Sequence, residues 1–324
     1  NLVNPHDAIA YPSTWDEETP TGSGCFNYQG IDLNLGITLP ASNSSDDLST
    51  KPTVQSPVRD FFAVGLGTLV SNQQRLNYVN FYAALHKLSD QHLQSVLDAI
   101  HPDIRSNTVV IQTADHGEMG LSHNGLRQKM FVTYEEALHI PLIIADPRKP
   151  ASHGQVTSSY ASLVDMMPTL ASLAGAGYPA GYHFSGRNLA SLLDDPDGAV
   201  QTELLFTYDD ENAGAAETIP FVTQPNHIRC MIRKDSDGEW KYARYYDPSG
   251  TEPSQFEMYH LYDGGGQPVD VAEIDNIANS ASGKYAQTFY VQKRALLAER
   301  LAAVEAERLA PPKPHRQFVP VVMK

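Results

Sequence analysis

Thr108-Val109-Val110-Ile111-Gln112-Thr113-Ala114, followed at once by Asp115-His116-Gly117-Glu118-Met119, decides how this chain is read. The first seven residues are a β-branched run of strand length. Asp115-His116-Gly117 ends that strand, so a carboxylate and an imidazole stand side by side at its end. In open parallel sheets that edge is where ligands bind. The oxygen donor suits Ca²⁺, Mg²⁺ or Mn²⁺, and the nitrogen suits Mn²⁺ or Zn²⁺. Two ligands do not complete a site, and an Asp-His pair standing alone is more often a turn-forming Asp with a backbone-bonded His.

Upstream of the strand, Leu85, Leu88, Leu93, Val96, Leu97 and Ile100 recur at spacings of three and four, which predicts an amphipathic helix from about Gln73 to Ile100 with one buried face. His101-Pro102 ends it. Before it, residues 11 to 58 are rich in Pro, Ser, Thr, Gly, Asn and Asp, a loop composition, and so long a loop is usually functional. Downstream, Ile140-Pro141-Leu142-Ile143-Ile144-Ala145 reads as a second buried strand. Strands alternating with helices predict an α/β fold with a mostly parallel central sheet flanked by helices. Ser162 to Ala174 reads as a short packing helix, with Pro168 in its first turn and Gly175 as its stop.

The texture changes after Asp194-Asp195-Pro196-Asp197. His227 to Lys234 alternates, Asp235-Ser236-Asp237-Gly238 turns, and Trp240 to Tyr246 returns, which is a β-hairpin. Phe256 to Tyr262 adds a third strand, and Gln287 to Leu309, with Leu297, Leu301 and Val304 on one side, a helix. The expected organisation is an α/β part over residues 1–197, a smaller antiparallel α+β subdomain over 198–310, and a tail over 311–324.

Composition bounds the partners. The 324 residues carry 23 basic and 38 acidic side chains, a net charge of −15, which disfavours nucleic acid. No apolar stretch approaches the roughly 18 residues of a membrane span. Cys25 and Cys230 are too few for a disulfide framework or a Cys-based zinc site and read as small apolar residues. The chain opens at Asn1 with neither an initiator Met nor a leader-like segment, so a missing N-terminal segment of the same protein is expected upstream. Oligomeric state is not legible.

The continuation from Ser122-His123-Asn124-Gly125 through Lys129 to Tyr134-Glu135-Glu136 and Ile140-Pro141 makes a resemblance specific: the chain is similar to the second half of a sulfatase of the alkaline phosphatase superfamily. Asn4-Pro5-His6-Asp7 resembles that family's His loop. Leu163-Val164-Asp165-Met166-Met167-Pro168-Thr169-Leu170 and Ser185-Gly186-Arg187-Asn188-Leu189 resemble its later helix and the motif after it. Met258-Tyr259-His260-Leu261-Tyr262-Asp263 resembles its C-terminal strand.

The resemblance implies that Asp115 and His116 are two ligands of one divalent cation, Ca²⁺ first with Mg²⁺ or Mn²⁺ as alternatives, the others coming from an upstream aspartate-rich loop. Lys129 and His6 would hold the ester's sulfate group, and His123 would line the pocket near the leaving group. Arg127 is expected to pair with an acid, Glu118 to support the loop, and Tyr134 and His139 to be packing residues. The substrate implied is a small-molecule or glycan sulfate ester, and the compartment periplasmic or extracellular. One departure stands out. The family's nucleophile is formylglycine, made from a Cys or Ser in a Cys/Ser-x-Pro-x-Arg motif, and none of the 324 residues shows it. The resemblance places it in the missing upstream segment. Two alternatives stay open: a phosphodiester or phosphonate monoester hydrolase of the same superfamily, and a non-catalytic binding relative.

Overall fold

The β-branched run forms β1, Val110–Thr113, and the second apolar run forms β2, Leu142–Ala145, in a computed structural model that describes residues 32–177, 184–210 and 223–309. The two strands pair antiparallel, Val110 opposite Ala145 and Thr113 opposite Leu142. This corrects the parallel pairing expected for them, and the connection explains it. Parallel neighbours need a crossover, usually a helix. Between Thr113 and Leu142 the chain makes only two single turns of helix, Ser122–Gly125 and Glu135–Leu138, and comes back alongside. The α/β class itself holds, with long helices set beside sheets.

The long helix runs Asn72–Asp98. Ser71 caps it in a reciprocal box: its Oγ accepts the Gln74 N–H at 3.1 Å and the Gln74 side chain accepts the Ser71 N–H at 3.0 Å. Its first half is anchored by Val79 and Phe81 against Leu69 and Leu121. Leu85, Leu88, Leu93, Val96 and Leu97, expected to be buried, are exposed. Among the described residues no core cluster includes a residue of this helix beyond Phe81, so the apolar stripe exists without a surface to cover it.

Ser162 to Ala174 also departs in detail. A 3-10 turn, Leu163–Asp165, leads into a helix, Met166–Leu173. Asp165 and Thr169 are buried while Leu163, Val164, Met167 and Leu170 are exposed. The buried Asp165 carboxylate accepts the N–H groups of Ser162 and Arg187 and the Gln201 side chain. Gly186 has to be glycine here, because a Cβ would stand 2.0 Å from the Val164 carbonyl oxygen.

The C-terminal part is a four-stranded antiparallel meander: β3, Glu203–Tyr208; β4, His227–Asp235; β5, Gly238–Tyr246; β6, Gln255–Asp263. β3 was not legible in the sequence, since Glu203-Leu204-Leu205-Phe206 does not alternate. Strand alternation sends Met231, Trp240, Tyr242 and Met258 to one face, where the helix Thr288–Arg308 covers them with Leu297, Leu301 and Val304. Full burial of each of those three aliphatic side chains contributes about 1.5–3 kcal/mol. The other face carries Ile228, Cys230, Ala243 and Tyr245 against Val54, Val58 and Phe131. Cys230 is buried as expected, and burial pushes its thiol up, so it stays protonated. Cys25 and residues 311–324 lie outside the described residues. On the same inner face Tyr259 and Leu261 pack under Met119, Leu126, Val132, Tyr134 and Ala137. The meander thus supports the loop that follows β1.

Candidate active site

β1 stops at Thr113 and hands the chain to a loop whose shape is set by backbone contacts. The Gly117 N–H donates to the Ala137 carbonyl at 2.9 Å, and a Cβ on Gly117 would lie 1.9 Å from the Glu136 carbonyl oxygen. Only glycine permits so close a backbone approach. Asp115 and His116, just before it, are thereby held out into solvent at the strand end.

Within the pair, the Asp115 carboxylate accepts the His116 N–H at 3.0 Å. His116 Nδ1 lies 2.8 Å from the Gly117 carbonyl oxygen. A carbonyl only accepts, so Nδ1 carries a proton and donates. Nε2 stands 3.3 Å from Asp115 Oδ2. The His116 N–H, with the His116 and Lys129 side chains, holds the Asp115 carboxyl below the usual carboxylate range. A carboxylate and an imidazole side by side are donors of the kinds divalent cations take. Among the described residues no group of three or more His, Cys, Asp or Glu side chains could hold a metal, so Asp115 and His116 do not by themselves make a metal site.

Lys129 follows a loop rich in left-handed backbone: Gly120, Leu121, His123, Asn124, Gly125, Gln128 and Phe131 all have positive φ. Its side chain is half-buried, and its Nζ makes no hydrogen bond or ion pair to a described residue, while its charge reaches Asp115. Lys129 is thus near enough for its charge to act on Asp115, as the weakest of the groups that lower that carboxyl.

His123 is placed elsewhere. It is fully buried behind the loop, with Nδ1 2.7 Å from Asp46 Oδ2, Nε2 3.7 Å from Glu136 Oε2, and its ring stacked on Tyr134 at 3.6 Å. Burial opposes the charged ring, but the Asp46 and Glu136 carboxylates outweigh it and raise its pKa. Arg127 faces carbonyls rather than an acid, donating to Phe62 O and Gly67 O. Glu118 supports the loop as expected. Tyr134 is buried, whereas His139, expected to pack, is exposed and pairs with Glu135 at 3.3 Å. His6 lies outside the described residues.

Sequence reasoning missed the buried polar layer beneath the loop. Lys51 Nζ lies 3.3 Å from Asp46 and donates to the Tyr259 hydroxyl and the Glu273 and Ile274 carbonyls. Lys241 sits 2.7 Å from both Glu135 and Glu273, which keep its ammonium charged despite burial. Glu257 gathers Gln55, Thr133, Tyr134, Tyr245 and Tyr259 within 2.9–3.2 Å. The available signal was Lys241 and Glu257 at inward positions of strands that otherwise alternate.

An exposed carboxylate and imidazole thus end β1 of an α/β fold, with a half-buried lysine in the loop that follows. In fold the chain is similar to a solved sulfatase chain from Bacteroides thetaiotaomicron, which superposes with a TM-score of 0.55 at 20% identity, covering 86% of this chain and 54% of that one. The chain belongs to the sulfatase family, whose model matches residues 2–176. It is 30% identical over 205 residues to Arylsulfatase K of Mus musculus, covering 61% of this chain and 32% of that protein. It is 32% identical over 231 residues to the Delta 4,5-hexuronate-2-O-sulfatase of B. thetaiotaomicron, covering 68% and 41%. The chain therefore spans about a third to two-fifths of the length of these relatives. No helix among the described residues is long and apolar enough to cross a membrane.

Proposed function

We propose that the protein is a divalent-cation-dependent hydrolase of sulfate esters, with Asp115 and His116 as two ligands of one cation and Lys129 as the residue that grips the ester. The observation that carries this reading is His116 Nε2 lying 3.3 Å from Asp115 Oδ2 at the end of β1, with the Lys129 charge acting on the same carboxylate and no described residue pairing with Lys129. The family resemblance puts Ca²⁺ first, and the oxygen donor suits Mg²⁺ and Mn²⁺ as well. When bound, the cation supplies Lewis acidity toward a sulfate oxygen.

The work of this chain's own residues is electrostatic. Sulfate ester cleavage gathers negative charge on the bridging oxygen as the bond to sulfur breaks. Lys129 Nζ donates to that oxygen and to a sulfate oxygen, and a cation placed where the charge develops stabilises it. His6 donates to the same group. The nucleophile in this reading is a formylglycine hydrate, a role that no motif in the 324 residues fills. His123, buried on Asp46, orders the loop. The hexuronate-2-O-sulfatase relative makes sulfated uronate glycans the first substrate class to assay.

Rates of the full-length protein on an aryl sulfate, an aryl phosphonate and a phosphodiester, with and without chelator, test the reading. Preference for the sulfate, lost on chelation, supports it. Preference for the phosphonate or diester makes the enzyme a phosphorus ester hydrolase, and no turnover with retained sulfate binding makes it a binding relative.

A further inference from the structure

We infer that Glu118 is the positioning residue for Lys129, joining the loop that bears Asp115 and His116 to the turn that presents the lysine. The inference rests on the reading of Lys129 as the ester-gripping residue. Glu118 Oε1 accepts the Gln128 N–H at 2.9 Å, the Gly120 N–H at 3.3 Å and the Tyr78 hydroxyl at 3.2 Å, while Oε2 lies 3.1 Å from the same Gln128 nitrogen. Burial and the Glu118 charge both keep the Tyr78 hydroxyl protonated, so it donates. The next residue, Met119, donates its N–H to the Gln128 carbonyl at 3.0 Å. Both backbone groups of Gln128 are therefore held by Glu118-Met119.

This clamp matters because Gln128 has φ +67°, a left-handed conformation that disfavours a residue with a Cβ. Left to itself, Gln128 would relax toward the right-handed or extended region and swing Lys129 with it. An acceptor-only carboxylate is the group that can satisfy three converging donors. Glu118 thus ties the turn of the lysine to the loop of the cation ligands, while the Asp115-His116 end of that loop is held separately by Gly117 against the Glu136 and Ala137 carbonyls.

The test is the midpoint concentration of inorganic sulfate that stabilises the calcium-saturated full-length protein, read by thermal shift, in the wild type and in Glu118→Ala, Glu118→Gln and Lys129→Ala. Removing the acceptor leaves partly buried N–H groups unpaired, and Glu118→Ala raises the sulfate midpoint about tenfold or more. The midpoint for calcium stays within about threefold, a split that general loosening of the fold would not produce. Glu118→Gln keeps an oxygen at the Oε1 position and restores sulfate binding to within about threefold of wild type. If Lys129→Ala loses sulfate while Glu118→Ala binds it like the wild type, the clamp is refuted and the site reading stands. If Lys129→Ala binds sulfate like the wild type, or the wild type binds none, the site reading fails and takes the clamp with it.

Discussion

Asp46 Oδ2 lies 2.7 Å from His123 Nδ1, joining residues 77 apart in the chain in a site from which water is excluded. Ser42 Oγ accepts the His123 N–H, and the Asn43 side chain donates to the Leu121 carbonyl. Residues 42–46 thus grip the loop that leads to Lys129 from behind.

The pair makes stability depend on pH in a definite direction. Against burial, Asp46 and Glu136 raise the folded-state pKa of His123, so its contribution is complete below an unfolded value of about 6.5 and lost as pH rises through the folded value. Against burial, His123 and Lys51 lower the pKa of Asp46, whose contribution is lost only in acid. The melting temperature of His123→Gln should therefore converge on that of the wild type as pH rises above neutrality. Parallel curves from pH 5.5 to 9 would refute this.

Breaking the pair from its other side leaves a buried imidazolium with its main partner gone. Asp46→Ala should cost about 3–5 kcal/mol in chemical denaturation. A loss within experimental error would mean that the contact is not formed in solution.

Gly117→Ala places a methyl group 1.9 Å from a backbone oxygen that cannot turn aside. The loop must shift as a whole, so we expect a stability loss of more than about 2 kcal/mol together with loss of cation-induced stabilisation. Alanine tolerated with full cation binding would contradict the close approach.

Lys129→Met makes the opposite prediction. Nζ makes no bond to a described residue, so thermal stability should be unchanged, while kcat/KM on a sulfate ester falls by about 100-fold or more. A fall in both together would make Lys129 a structural residue.

The chemistry-bearing loop was legible because local rules govern it: a β-branched run must end somewhere, and Asp-His-Gly ends it. The hairpin, the β6 strand and the helix Thr288–Arg308 were legible for the same reason, since alternation and helical spacing are local. What was hidden depends on partners far away in sequence. Nothing near Asp46 marks it as buried, because its burial follows from His123 and Lys51. Nothing in Leu85, Leu88 and Leu93 tells whether a surface covers them, and here they are open. The antiparallel pairing of β1 and β2 follows from a connection without a crossover helix, which the residues of the strands themselves do not encode. His123 looked like a pocket residue from its place in the loop, and only the left-handed backbone at Leu121, His123 and Asn124 turns it inward.

Calorimetric titration of Ca²⁺ into the full-length protein and its Asp115→Ala and His116→Ala variants tests the central claim most directly. One site per chain in the wild type, weakened by about 100-fold or more in each variant while the folded state remains intact, is the predicted result. Unchanged calcium affinity in Asp115→Ala, or a wild type that binds no divalent cation, would contradict it.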